Sequence, residues 1–358
     1  MNSAYDTILS ADAETRGGLF TATAQRIGTT PQNVEKDFWV CWTLDALFNG
    51  LPAGPRLLFK GGTSLSKGFG LIHRFSEDID VTVFRDDLGE AHSVEDLQKL
   101  SGKKREATLD AIREACEGFI NDTLLANLTG IATEASGRNG IADGQLKILQ
   151  DKDKQTLLVQ YPTATAPDAY IPKFVKIESG AKSALDPNSV RSIRPYLEQD
   201  APGLILEVPN VTIVDAERTF WDKVVILHGL RRWYDLKGVL KGGGNRISRH
   251  YYDLHELMQA PIGQAAIADS ALGADCVAHA RMFFNRPAFD LASATPPTFA
   301  LMPEGEMHDA LKQDYAAMSG MVFGQAPSFE AVTASIAELE HAVNQGTTNP
   351  DRHEACPP

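Results

Sequence analysis

Between residues 10 and 50 apolar positions recur at helical spacing. In VEKDFWVCWTLDALF the side chains of Phe38, Trp42, Leu44, Ala46 and Leu47 form a broad apolar stripe, which predicts one or two helices. At residue 56 the period changes. RLLFK, GGTS, LSKGFGLIHRF and DIDVTVF read in turn as strand, glycine turn, helix and strand over residues 56–84. From Ser93 to about Leu128 the residues Leu97, Leu100, Leu109, Ile112, Cys116, Phe119 and Ile120 recur every three or four positions, predicting a helical insertion. The short runs QLKILQ, TLLVQYP and KFVKIES then predict strands, and Asp186 to Val214 holds further strand-like pieces between Pro-marked loops.

A second helical region starts at Asp215, a residue suited to capping. In AERTFWDKVVILHGLRRWYDL the side chains of Phe220, Val224, Leu227 and Leu230 face one way. The basic loop KGGGNRISR leads into the helix-like HYYDLHELM, and residues 264–345 are mostly helical around the loop ATPPTFALMPEGE. These elements predict an α+β chain in three parts. Residues 1–214 form a sheet domain with N-terminal helices and a helical insertion near 93–128; residues 215–345 form a helical C-terminal domain; residues 346–358 form a frayed tail.

Composition narrows the class. The chain has 358 residues, 43% hydrophobic and 23% charged, with 34 basic against 47 acidic side chains and a net charge of −13, as expected for a soluble globular protein. Cys41, Cys116, Cys276 and Cys356 are far apart and form no CxxC pair, which fits a reduced cytoplasmic protein. No secretory leader and no run of about 18 apolar residues occurs, so membrane insertion is not expected. The acidic balance argues against non-specific coating of nucleic acid. It leaves room for a local grip on one RNA through Lys103-Lys104-Arg105, Arg231-Arg232, or Lys237 and Lys241 with Arg246 and Arg249, although such runs are more often solvated faces.

The chemistry concentrates at residues 60–80. After Gly61 the positions a phosphate-binding GxxxxGK[ST] loop requires are held by Ser66, Lys67 and Gly68, so that motif is absent. What stands there is a strand ending in Gly61-Gly62, with Thr63 and Ser64 opening a helix. Two glycines allow close backbone approach and a helix start offers N–H groups to phosphate, yet the same residues make an ordinary helix cap. In SEDIDVTVF the two-residue period puts Asp78, Asp80 and Thr82 on one face and Ile79, Val81 and Val83 on the other. Two like charges side by side repel unless water screens them or a cation sits between them, and Mg²⁺ or Mn²⁺ bridging to phosphates uses such a pair. In KFVKIES the same alternation puts Glu178 on a face with Phe174 and Lys176, where it completes a metal site, accepts a proton, or is simply a solvated strand end. No histidine spacing suits zinc, and Trp233-Tyr234 and Tyr251-Tyr252 suit interhelical packing better than base stacking.

Leu58-Phe59-Lys60-Gly61-Gly62-Thr63-Ser64-Leu65-Ser66-Lys67 followed by Arg74-Phe75-Ser76-Glu77-Asp78-Ile79-Asp80 closely resembles the core motif of the AbiEii/AbiGii toxin family of nucleotidyltransferases, which includes MenT-like type IV toxin–antitoxin toxins. The resemblance continues through Glu217-Arg218-Thr219-Phe220-Trp221-Asp222-Lys223, Arg249 with Tyr252-Asp253-Leu254, Asp314-Tyr315-Ala316-Ala317-Met318 and Pro327-Ser328-Phe329. It implies a polymerase-β-like nucleotidyltransferase sheet with a helical C-terminal half. It further implies transfer of a nucleoside monophosphate from a nucleoside triphosphate to the 3′ end of tRNA, release of pyrophosphate, and an AbiEi-type antitoxin partner. Carried over by residue, Gly61, Gly62, Thr63, Ser64 and Lys67 hold the triphosphate, Asp78 and Asp80 hold the metal, Lys223 neutralises the polyphosphate, and Asp253 is a further essential polar residue. The alternatives are transfer to a protein or small-molecule hydroxyl, and a non-catalytic nucleotide-binding module.

Overall fold

The computed structural model describes residues 1–166, 172–244 and 246–345, so Cys356 and the expected tail at 346–358 lie outside the described residues. The chain divides into two compact units. The first is Met1–Asp215 with Met321–Gln325; the second takes Ala216–Gly320 and the chain from Ala326 onward.

The first unit is built on a seven-stranded mixed sheet. Its strands are β1 (Leu57–Lys60), β2 (Ile79–Val83), β3 (Lys147–Gln150), β4 (Thr156–Gln160), β5 (Phe174–Gly180), β6 (Asn188–Ile193) and β7 (Val208–Val214), in the order β3-β4-β5-β2-β1-β7-β6. The β1–β7 and β2–β5 pairs are parallel and the others antiparallel. The alternating apolar residues explain the burial of the central strand: Ile79, Val81 and Val83 are fully buried. Short residues 321–325 return to this unit, where Phe75 N–H bonds the Met321 carbonyl at 2.8 Å and Phe323 N–H bonds the His73 carbonyl at 2.8 Å. The segment carries no periodic signal of its own, and the sequence division at residue 214 does not anticipate it.

Three α-helices precede the sheet, α1 (Ala4–Leu9), α2 (Ala13–Ile27) and α3 (Pro31–Asp45), the last running into a π-helical stretch at Ala46–Gly50. The α2 and α3 helices start at Asp12 and Thr30, whose side chains accept the N–H groups of Thr15 and Asn33. The expected stripe of α3 is buried, but so is the rest of the helix from Val34 onward, including its charges. The glycine turn opens a helix, α4 (Gly61–Lys67), that is shorter than the pattern LSKGFGLIHRF suggests: Gly68 and Gly70, the latter at φ +64°, end it. The insertion comprises α5 (Val94–Gln98), α6 (Gly102–Gly118), a π-helical stretch at Phe119–Leu124, and α7 (Leu125–Asn139). Its helix continues to Asn139, beyond the expected end near residue 128, until Gly140 at φ +65° provides a left-handed cap.

The second unit is helical: α8 (Ala216–Lys237), α9 (Ser248–Gln259), α10 (Pro261–Ala268), α11 (Ser270–Phe283), α12 (Glu306–Ser319) and α13 (Phe329–Gln345). Trp221 of α8 lies against Gly273 of α11, where an added Cβ would come within 2.8 Å of the ring, and its indole N–H bonds the Ala266 carbonyl at 2.8 Å. Trp221 is therefore a packing residue. Tyr251 and Tyr252 are fully buried, as expected for helix packing.

Candidate active site

Strand register gathers the chemistry of the first unit. Lys60 pairs with Asp80 across β1–β2, and Asp80 pairs with Glu178 across β2–β5. Residues directly opposite share a face, so Lys60, Asp80 and Glu178 form one row over three strands. Asp78 stands immediately before β2. Burial first, then the like charges of Glu77, Glu178 and Asp80, raise its carboxyl from 3.8 to about 6, and Lys36 offsets part of this. Glu178 itself is paired with Lys176 two residues earlier on the same strand face.

The glycine turn abuts the acids. Gly61 adopts φ +82°, a conformation that favours glycine, and a Cβ there would collide with the Asp80 carboxylate. A Cβ on Gly62 would come within 2.5 Å of the Arg74 guanidinium and 3.2 Å of the Ser76 hydroxyl. Gly61 and Gly62 thus have a steric reason at each position. The Thr63 hydroxyl donates to the Asp78 carbonyl at 2.5 Å and lies 2.8 Å from Ser76 Oγ, while the Ser64 hydroxyl donates to the Gly61 carbonyl at 2.9 Å. Both side chains are buried and brace the turn against the acid-bearing segment. What they leave to a phosphate is backbone N–H.

Lys67 differs from expectation. Its ammonium is buried, pairs with Asp37 at 2.6 Å and sits 3.8 Å from the centre of the Tyr196 ring. Burial alone would depress its pKa; the Asp37 carboxylate more than offsets this and raises it. In the structure Lys67 is held in that pair at the end of α4. In the second unit Lys223 of α8 meets Asp253 of α9 at 2.9 Å, with side-chain exposures of 7% and 0%. The two residues singled out separately on the sequence are therefore one buried ion pair. Arg231 is bound to Asp235, Glu304 and the Met302 carbonyl, and Arg232 to Asp235 and the Thr298 carbonyl, so that basic run is engaged within its own unit.

The site also includes residues the sequence reading gave no role. Lys60 is found by register alone; Arg74 and Ser76 lie in a quoted motif, but only the fold shows that they cover Gly62. Among the described residues no three His, Cys, Asp or Glu side chains are already gathered around a point that could hold a metal ion. The donor set nonetheless fits a hard divalent cation: carboxylates alone, with Asp78 raised to about 6 by burial and then by its acidic neighbours, suit Mg²⁺ or Mn²⁺ that keeps waters and takes phosphate oxygens.

The sequence pattern of the nucleotidyl transferase AbiEii toxin family of type IV toxin–antitoxin systems matches residues 42–338. The chain belongs to the AbiEii family. It is a nucleotidyltransferase toxin of this type, and every residue of the acid row, the glycine turn and the Lys223–Asp253 pair lies within the matched span. Among solved structures the AbiEii chain is similar to MenT4, a nucleotidyltransferase toxin from Mycobacterium tuberculosis H37Rv, at 16% identity and TM-score 0.40, covering 91% of this chain and 97% of that one. No curated protein matches. No helix among the described residues is long and apolar enough to cross a membrane.

Proposed function

We propose that this AbiEii chain transfers a nucleoside monophosphate from a nucleoside triphosphate to the 3′ end of tRNA in the cytoplasm, releasing pyrophosphate, under the control of an AbiEi-type antitoxin. The observation that carries the reading is the acid row: Asp80 lies in register with Glu178 and against Gly61, and Asp78 precedes it by two residues. In this reading Asp78 and Asp80 hold Mg²⁺ or Mn²⁺. The ion supplies charge neutralisation and polarisation of the phosphate under attack. The Gly61–Ser64 backbone orients the triphosphate. Glu178 either completes the metal set or takes the proton of the attacking hydroxyl. Lys223 is assigned to the polyphosphate charge and Asp253 to holding Lys223.

The test incubates the protein with Mg²⁺, total tRNA and each labelled nucleoside triphosphate, beside the Asp80→Ala variant. Label entering RNA from one nucleotide and absent in the variant is the expected result. RNA labelling that persists in Asp80→Ala would overturn the metal assignment. The net charge of −13 and the intramolecular pairing of Arg231 and Arg232 favour a second reading, transfer to a protein or small-molecule hydroxyl. Labelling that falls steeply with salt supports tRNA; pyrophosphate release that salt leaves unchanged, without labelled RNA, supports the second acceptor.

A further inference from the structure

Three successive residues of α3, Glu35, Lys36 and Asp37, are buried at 2%, 1% and 4% exposure. Ionisable groups are almost never buried unless paired, and apolar residues would pack such a helix at least as stably. Here each charge reaches a different segment of the first unit. Glu35 accepts the Ala164 N–H and the Thr165 hydroxyl. Lys36 meets Glu77 at 3.2 Å and donates to the Pro172 carbonyl at 3.0 Å. Asp37 meets Lys67 at 2.6 Å and accepts the Tyr196 N–H at 2.7 Å.

The destinations matter. Glu77 directly precedes Asp78, and Pro172 leads into β5, the strand of Glu178. Lys67 is the last residue of α4, the helix that begins at Gly61. Neighbouring residues on a helix point about 100° apart, so consecutive side chains grip two different elements from one rigid rod. All three charges precede the span matched by the family pattern, which begins at residue 42.

We propose that Lys36 and Asp37 are positioning residues for nucleotidyl transfer. Lys36 fixes the acid-bearing segments of β2 and β5 relative to each other through Glu77 and Pro172, and Asp37 fixes the glycine-turn helix through Lys67. The inference rests on the reading of this site as a metal and triphosphate site. It assigns the two pairs to separate halves of that site. Loss of the Lys36 pair disturbs metal binding, and loss of the Asp37 pair disturbs triphosphate binding. A merely structural role would disturb both alike.

The test uses the double variants Lys36→Met with Glu77→Gln and Asp37→Asn with Lys67→Met, each of which removes a pair without leaving a buried charge alone. Calorimetry gives the Mn²⁺ dissociation constant and, at saturating Mg²⁺, that of whichever of the four nucleoside triphosphates binds the unmodified protein. The first variant is expected to weaken Mn²⁺ binding about tenfold with the nucleotide constant within about twofold, and the second to do the converse. Equal shifts of both constants in either variant, or no shift in either, would overturn the proposal. Should a double variant not fold, Lys36→Arg and Asp37→Glu are read by the same two constants. An unmodified protein that binds both ligands yet releases no pyrophosphate overturns the transfer reading and leaves these constants to decide the positioning; one that binds neither overturns both.

Discussion

The two charge centres of this chain are opposites. In the first unit, Asp78 remains partly exposed, and burial together with the crowding of like charges raises its carboxyl to about 6. In the second, Lys223 and Asp253 are buried and matched at 2.9 Å. A group of like charges is electrostatically incomplete and gains by taking up a cation, whereas a buried pair is complete and loses by any single change. The first arrangement suits a site whose occupant arrives with the substrate; the second suits a fixture. The contrast yields different signatures for activity and stability.

The largest expected effect is at Asp80. Its replacement by Ala removes a charge from the crowded row, so the fold is retained, while labelling of the acceptor falls by about 10³-fold or more, the equivalent of the several kcal/mol a metal supplies. Circular dichroism together with the labelling assay checks both halves. The Lys223–Asp253 pair is expected to behave in the reverse way. Lys223→Met leaves Asp253 charged and buried, with a loss of about 3–5 kcal/mol in urea unfolding. Lys223→Met with Asp253→Leu recovers most of that stability and none of the activity. A single variant as stable as the unmodified protein would break the comparison.

Gly61→Ala is intermediate in size. The φ of +82° and the collision with Asp80 impose a destabilisation of about 1–3 kcal/mol, and displacement of the Asp80 carboxylate lowers turnover further. Gly140, also a left-handed glycine at φ +65° but with open space around its Cβ position, provides the control: Gly140→Ala is expected to strain the helix cap with no change in turnover.

How much of this was legible before the fold follows from the range of each signal. The two-residue period placed Asp80 and Glu178 on strand faces because alternation is local, whereas Asp78, expected on the same face, stands just ahead of β2; the glycine pair was visible because a turn needs it. Register between β2 and β5 joins residues almost a hundred positions apart, which no local period encodes. The same holds for α3. The stripe of Phe38, Trp42, Leu44 and Leu47 announces a buried face, and the run Glu35-Lys36-Asp37 looks like the exposed side of it. Only partners at Ala164, Pro172, Tyr196, Lys67 and Glu77 make all sides of the helix interior. The partner of Lys67 was hidden for the same reason, since Asp37 lies on another element.

The smallest effect follows from the raised carboxyl of Asp78. A group whose pKa rises on folding, from 3.8 to about 6, binds more proton in the folded than in the unfolded chain between those values. Stability from this group is present below about pH 4 and declines as pH climbs through about 6. Asp78→Asn removes the half-buried charge and its repulsion at neutral pH and is expected to stabilise the metal-free protein by about 1–2 kcal/mol at pH 7.5, and by less than half of that at pH 4.5. Thermal unfolding at the two pH values measures it. Mn²⁺ should act on the unmodified protein in the same direction at pH 7.5, and progressively less below pH 6, because the ion competes with the proton for the same oxygens. If Asp78→Asn instead destabilises the protein equally at both pH values, Asp78 is held by hydrogen bonds and not strained by burial and like charge, and the contrast with the Lys223–Asp253 pair is lost.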